Sequence, residues 1–248
     1  ELPNVPIGTY ASRLFGSKKQ INERIKEEIG HTLKNLDGNP TVYLMHRDDG
    51  DFINYEGIKR SKTPVRRIME ALSEKTLRNK FTFLGWSNWK PYRITRSIKL
   101  AQKYKHLAKP CFNSPYFSLF EMSERSIHAG GVQVTHEDMM NPNFLKGIKM
   151  MPYSLLAGVS IFDKPVPRWE NAKKDARKKY WQGDPYWKNV YHAVFTCANN
   201  DRYARVVNFT RKFNKKNRTS YTVDQMVNAY ALAHVRMDFL TIGPITIS

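Results

Sequence analysis

The sequence predicts an α/β fold in which a parallel sheet alternates with helices through right-handed crossovers. Three observations predict it. Short apolar runs recur, each followed by a segment whose apolar residues return every three or four positions. Val42–Met45 is almost continuously apolar, the pattern of a strand covered on both faces. The length, 248 residues, is that of a whole (β/α)8 barrel. No internal repeat and no linker divides the chain, so a single domain over residues 1–248 is expected.

Val5–Tyr10 reads as a strand entering a loop through Pro6 and Gly8. Ser17 caps the helix that follows, whose stripe is Ile21, Ile25, Ile29, Leu33 and Leu36. Asp37-Gly38-Asn39-Pro40 stops it, and the central strand runs from Val42 to His46. After a polar loop over Asp48–Ser61, Thr63 caps a helix with Pro64 in its first turn and Val65, Ile68, Met69 and Leu72 inward. Phe81–Leu84 is the next strand, and Gly85-Trp86-Ser87-Asn88-Trp89 the turn after it. Pro91 starts a helix with Ile94, Ile98 and Ala101 buried; Cys111–Asn113 is a short strand. His136–Leu145 is expected to be a short helix, and Ile148–Met151 to lead into Pro152–Gly158. Phe162–Asn200, with little clean periodicity, reads as a long basic, aromatic excursion at about 160–200 holding one short helix. Asp201–Phe213 is helical. Thr222 and Gln225 form a capping box for a helix carrying Val223, Met226, Val227 and Tyr230, and Leu240–Ile242 is a last strand.

Charge is the unusual global feature. Lys plus Arg is 41 against 22 Asp plus Glu, a formal +19. A field of that size favours polyanions, whereas an enzyme for small carbonyl compounds has no need of it. Two cysteines, Cys111 and Cys197, with no Cys/His spacing of a zinc site, imply neither a disulfide framework nor a metal. No apolar run is long enough to cross a membrane.

Five segments carry a resemblance. Thr41–Asp49, TVYLMHRDD, puts a titratable imidazole, His46, at the end of a buried strand, where barrel enzymes keep their chemistry. Leu84–Trp89 reads LGWSNW, Asn113–Leu119 reads NSPYFSL, Pro152–Gly158 reads PYSLLAG and Thr222–His234 reads TVDQMVNAYALAH. In this order they resemble the aldo-keto reductase family, over a span from about Ile7 to Gly243. The resemblance implies a (β/α)8 TIM barrel binding NADPH across its C-terminal face. It implies His46 as the substrate-orienting histidine, Ser87 and Asn88 as holders of the nicotinamide carboxamide, and Tyr153 as the aromatic stacked on the nicotinamide. The family's reaction is reversible carbonyl reduction, with a Tyr acid tuned by a Lys and an Asp. That arrangement is physically sound, because a phenol titrating near pH 10 needs a nearby cation to act as an acid at neutral pH.

The departures are as informative. The family's Asp and Tyr precede the segment at which this sequence starts, and Tyr10 stands where its Lys is expected. Ser114 replaces the expected Gln, and the turn usually read Ile-Pro-Gly is Ile242-Gly243-Pro244, with little chain after it for an adenosine-phosphate anchor. The expectation is therefore an incomplete barrel lacking its first strands and C-terminal segment. His46 would be a relict, Ser87, Asn88 and Tyr153 vestigial, and no cofactor would be needed. Neighbouring proteins would cover the open barrel edges.

Basic clusters supply the other half of the reading. In Arg168–Lys188, Lys173, Lys174, Arg177 and Lys178 share a helical face, and Trp169, Tyr180, Trp181, Tyr186 and Trp187 are interleaved. Arg211, Lys212, Lys215, Lys216 and Arg218 form a second cluster; Lys59, Arg60, Lys62, Arg66 and Arg67 form a third. Cations contact phosphates and aromatics stack on unpaired bases, although the plainer reading of the aromatics is packing on the barrel. The expected function is a non-catalytic structural subunit of a large RNA-containing assembly, such as a mitochondrial ribosome, with a mitochondrial location read from the charge and the opening Glu1. Two other readings stay open: an NADPH-dependent reductase of which this chain is a fragment, and a structural subunit of a protein-only complex.

Overall fold

The computed structural model describes residues 17–36, 41–46, 63–123, 126–127, 131–155, 168–183 and 185–241. Its elements in chain order are α1 (Lys18–Asn35), β1 (Val42–Met45), α2 (Val65–Leu72), α3 (Lys75–Arg78), β2 (Phe83–Ser87), α4 (Pro91–Lys103) and β3 (Pro110–Ser114). There follow β4 (Ser126–Ile127), β5 (Gly131–Val132), α5 (His136–Met140), β6 (Lys149–Met150), α6 (Arg168–Trp181), α7 (Pro185–Val194), α8 (Cys197–Asn217) and α9 (Val223–Leu232). The described residues fall into two compact units. One holds those up to Pro115 together with Leu145–Met150, and the other holds Tyr116–Phe144 and the residues from Met151 onward.

The first unit is an α/β layer. Its four-stranded sheet has the order β1-β2-β3-β6, with every pairing parallel. Helices α2 and α3 connect β1 to β2 and α4 connects β2 to β3, as parallel pairing demands. Among the described residues the sheet has two ends, β1 and β6. Strand β1 is therefore an edge rather than the expected central strand. Tyr43 and Met45 are buried while Val42 and Leu44 are only half-buried, so one face alone is well covered. Continuous burial belongs to β2, over Leu84–Ser87. The sequence predicts that strand at 81–84, with Gly85-Trp86-Ser87 as a turn. Those three residues instead extend the ladder, pairing Trp86 with both Met45 and Asn113.

The helices follow their local signals with three corrections. Ser17 and Gln20 form a full capping box at α1, and Ile21, Ile25 and Ile29 are buried, but Leu33 is half-buried and Leu36 exposed. Helix α2 buries Val65, Ile68, Met69 and Leu72, as its spacing predicts, and packs on α1 and α4. Its N-cap is Pro64, with no side-chain cap, rather than Thr63. Thr63 is buried, and its main-chain carbonyl accepts from Arg93 Nη2 at 3.0 Å. Helix α4 begins at Pro91 and buries Ile94 and Ala101, with Ile98 half-buried.

The second unit is mostly helical. Tyr116, Phe120, Met122, Trp169, Ala172, Val190, Val194 and Val227 form its buried core. Three expectations change here. Helix α5 stops at Met140 instead of reaching Leu145, where Asn141 and Pro142 follow. The stretch expected as an excursion with one short helix folds as α6, α7 and the start of α8. Trp169, Ala172 and Ala176 put small and aromatic residues on one side of α6 and bury it, a stripe masked in the sequence by the surrounding lysines. Leu240 and Thr241 are not in a strand, and Ile242 lies outside the described residues. Instead the chain after α9 is tied to α5 by Arg236, whose backbone N–H donates to Met139 O at 3.0 Å and whose Nε donates to Phe144 O at 2.9 Å. The capping box of Thr222 and Gln225 at α9 forms as its spacing predicts, with Val227 buried and Tyr230 exposed on the same helix. No described helix is long and apolar enough to cross a membrane.

Candidate functional site

Parallel strands present their C-terminal ends together, so β1, β2 and β3 bring His46, Ser87, Asn88 and Ser114 to one edge of the first unit. Ser87 Oγ donates to Ser114 O at 3.0 Å, and the Asn88 backbone N–H donates to the same carbonyl at 3.3 Å. Asn88 Nδ2 reaches Ser87 Oγ at 3.2 Å and His46 O at 3.4 Å. Asn88 adopts a left-handed backbone, φ 58°, which Asn tolerates better than most residues. Both side chains thus stitch three strand ends together, and both are buried. Next to them Asn113 is buried with Nδ2 3.8 Å from Met150 Sδ, and its Oδ1 has no partner among the described residues. Tyr153, the third residue assigned to a nicotinamide site, belongs to the second unit. There it bridges to Tyr116 and packs edge-on against that ring, centroids 6.0 Å apart at 84°. Tyr10 and Arg47–Asp49 lie outside the described residues.

The basic helix α6 carries the second set of predicted residues. Lys174 and Lys178 are exposed opposite the buried Trp169–Ala172–Ala176 side, Arg177 is exposed beside it, and Lys173 flanks it half-buried. Lys173, Lys174 and Arg177 line a cleft of about 320 Å3 together with Glu170, Asn171 and Tyr191. Lys178 is not among its walls. The interleaved aromatics divide. Trp169 is core and Trp187 packs against the core, as the plainer reading has it. Trp181 is 71% exposed with the Arg177 guanidinium 4.8 Å over its ring. The second cluster, Arg211, Lys212, Lys215 and Lys216, is exposed along the last turns of α8, where cations also complement the helix dipole. Of the third cluster only Arg66 and Arg67 are described, both exposed. Arg66 is paired with Glu70 at 2.8 Å and stacked on Tyr104, while Lys59, Arg60 and Lys62 lie outside the described residues.

The structure adds a polar cluster that the sequence does not single out. Within the second unit, Tyr230 OH lies 2.8 Å from His136 Nδ1, and Glu121 Oε1 lies 3.7 Å from His136 Nε2. Arg202 Nη2 pairs with the other Glu121 oxygen at 3.0 Å. His234 is buried with Nδ1 2.9 Å from Tyr230 O, which makes Nδ1 the protonated nitrogen, and its Nε2 faces His136 Nδ1 at 3.4 Å. The arrangement suits a neutral His136 that accepts the Tyr230 hydroxyl proton. Burial pulls the His136 pKa below its ordinary value, with Glu121 opposing and His234 and Arg202 reinforcing. Tyr230 is exposed over part of its ring, and partial desolvation raises its pKa. Tyr230 and His234 stand four positions apart in the sequence, but their partners come from other segments. Among the described residues no group of His, Cys, Asp and Glu is arranged to hold a metal ion.

A pH effect follows from the lowered His136 pKa. As the pH falls through about 6.5 the unfolded chain takes up the proton first, so stability present at neutral pH is lost on acidification. The melting temperature is expected to fall between about pH 7.5 and 5.5 in the wild type, and to fall less in His136→Gln. Parallel pH profiles for the two proteins would remove His136 as the source. In comparisons with known proteins, no family model matches the chain and no curated protein matches it.

Proposed function

We propose that this chain is a non-catalytic, aldo-keto-reductase-like subunit that contacts RNA in a large assembly, with an incomplete (β/α)8 barrel as its ancestral frame. The observation that carries the reading is the outer surface of α6: exposed Lys174, Arg177 and Lys178, half-buried Lys173, and a mostly exposed Trp181 under a guanidinium. Cations held beside an exposed aromatic ring suit a single strand, whose phosphates and bases they engage together. The exposed cations of α8 and the formal +19 extend the same field. The non-catalytic half is supported at the strand ends. Ser87 and Asn88, the residues that would hold a nicotinamide carboxamide, are engaged in cross-strand bonds, and Tyr153 packs on Tyr116. A mitochondrial ribosome fits the basic character; neighbouring proteins would cover the strand edges.

The test is binding of the full chain to a mixed-sequence single-stranded RNA across a salt series. For wild type, log K is expected to fall steeply with log salt. Replacing Lys173, Lys174, Arg177 and Lys178 with Ala should flatten that slope by up to about 2.8, at ~0.7 per lost phosphate contact on a single strand. Stability should change little, by less than about 1 kcal/mol, because three of the four charges are exposed and contribute little. Polyglutamate of equal charge should bind neither protein better than RNA does. Identical RNA slopes for the two proteins would exclude α6 as the contact and favour a protein-only assembly.

A further inference from the structure

A cavity of about 410 Å3 lies in the second unit beside the Tyr230–His136 pair, within the roughly 300–1,000 Å3 range of small-molecule sites. Leu119, Val206, Phe209 and Met226 are its apolar lining, and His136, Tyr230, Arg202 and Arg205 its polar side chains. The charges of that lining do not cancel. Arg202 is neutralised by Glu121 at 3.0 Å and also donates to Asn199 Oδ1 at 2.8 Å. Burial lowers the His136 pKa, so at neutral pH its ring adds no charge to offset. Arg205 forms no ion pair among the described residues, although Asp201 lies one turn away on α8. A single uncompensated guanidinium therefore looks onto an apolar recess.

We propose that this cavity binds a small monocarboxylate with an apolar body, its carboxylate forked on Arg205 and its body against Phe209 and Met226. One planar anion matches one guanidinium in charge and in bidentate geometry. A dianionic phosphate would leave a second charge against apolar walls, where it costs free energy. An uncharged apolar ligand would leave Arg205 as it is and gain nothing from it. The site is separate from the α6 surface, so it stands or falls independently of RNA binding.

The experiment titrates the full chain, labelled at the methionine methyls, with 3-phenylpropionate, and reads the Met226 methyl shift at neutral pH. Saturable binding is expected, with a dissociation constant on the order of 1 mM or below for so small a ligand. The neutral isostere 3-phenylpropanamide should bind about tenfold more weakly or worse, and so should 3-phenylpropionate to Arg205→Gln. Arg205 is exposed, so this variant should keep the wild-type melting temperature. Arg211→Gln, on the same helix outside the cavity, should bind as wild type does. No saturable Met226 shift, equal affinity for acid and amide, or unchanged affinity in Arg205→Gln would each overturn the proposal.

Discussion

Gly85→Ala should destabilise the protein by about 3 kcal/mol, the upper end of the range for overpacking a core. Gly85 lies in β2 between β1 and β3, at the point where the ladder to β3 shifts register. A Cβ there would lie 2.5 Å from Leu44 Cδ2, 2.8 Å from Phe112 Cβ and 2.9 Å from Phe112 O. The leucine end can turn away, but the other two atoms belong to or adjoin the backbone of β3. Relief requires β3 to move off β2, which loosens the Ser87 and Asn88 bonds to Ser114 as well. The glycine is thus required by close approach of a neighbouring strand, as glycines at such irregularities often are. Gly30→Ala in α1 is the control of opposite sign. Nothing lies within 4 Å of where its added methyl would stand, so helix propensity and the unfolded state dominate, worth about 0.4–1 kcal/mol in favour of Ala. Urea midpoints of the two variants measure both. A Gly85→Ala midpoint equal to wild type would show that β3 yields freely, and the strand-end site with it.

The same strand shows what a sequence can and cannot disclose. The order of helices and apolar runs is legible because period and caps are local: Ser17 with Gln20 and Thr222 with Gln225 form the boxes their spacing predicts. Parallel pairing follows from that order. Where local signals fail, a distant partner intervenes. Thr63 is buried with its carbonyl bonded to Arg93 and does not cap α2, and the LGWS part of LGWSNW continues as strand because β1 and β3 pair on either side of it. The buried side of α6 is hidden because alanines carry little pattern of their own, and Trp169 declares itself only against Phe120, Phe195 and Tyr203. The Tyr230–His136 pair spans 94 positions, and Glu121 and Arg202 join it from two further segments. No motif marks such a cluster. His46, Ser87 and Asn88 do come together through the strand order, yet the side-chain bonds of Ser87 and Asn88 point to holding strand ends, and His46 joins them through its main-chain carbonyl.

Two tryptophans on α6 separate the core role of this helix from its proposed interface role. Trp169→Ala is expected to cost about 3–5 kcal/mol, the range for deleting a large buried ring. Its side chain is 4% exposed, with ring centroids 5.7 Å from Phe120, 5.0 Å from Phe195 and 5.6 Å from Tyr203. Removing it opens a cavity among three aromatics drawn from three segments, which cannot all close on an alanine. Trp181→Ala should leave stability within about 0.5 kcal/mol of wild type, because the ring is 71% exposed. Its effect should appear in RNA affinity instead, at about 1–3 kcal/mol for one lost stacking platform. That loss should persist at high salt, since stacking releases no counterions, whereas the effect of the four-cation substitution should shrink there. Thermal melts and RNA titrations on the same two variants measure both quantities. If Trp181→Ala binds RNA as wild type does at all salt concentrations, base stacking is removed from the proposal and only the phosphate contacts of α6 remain to support it.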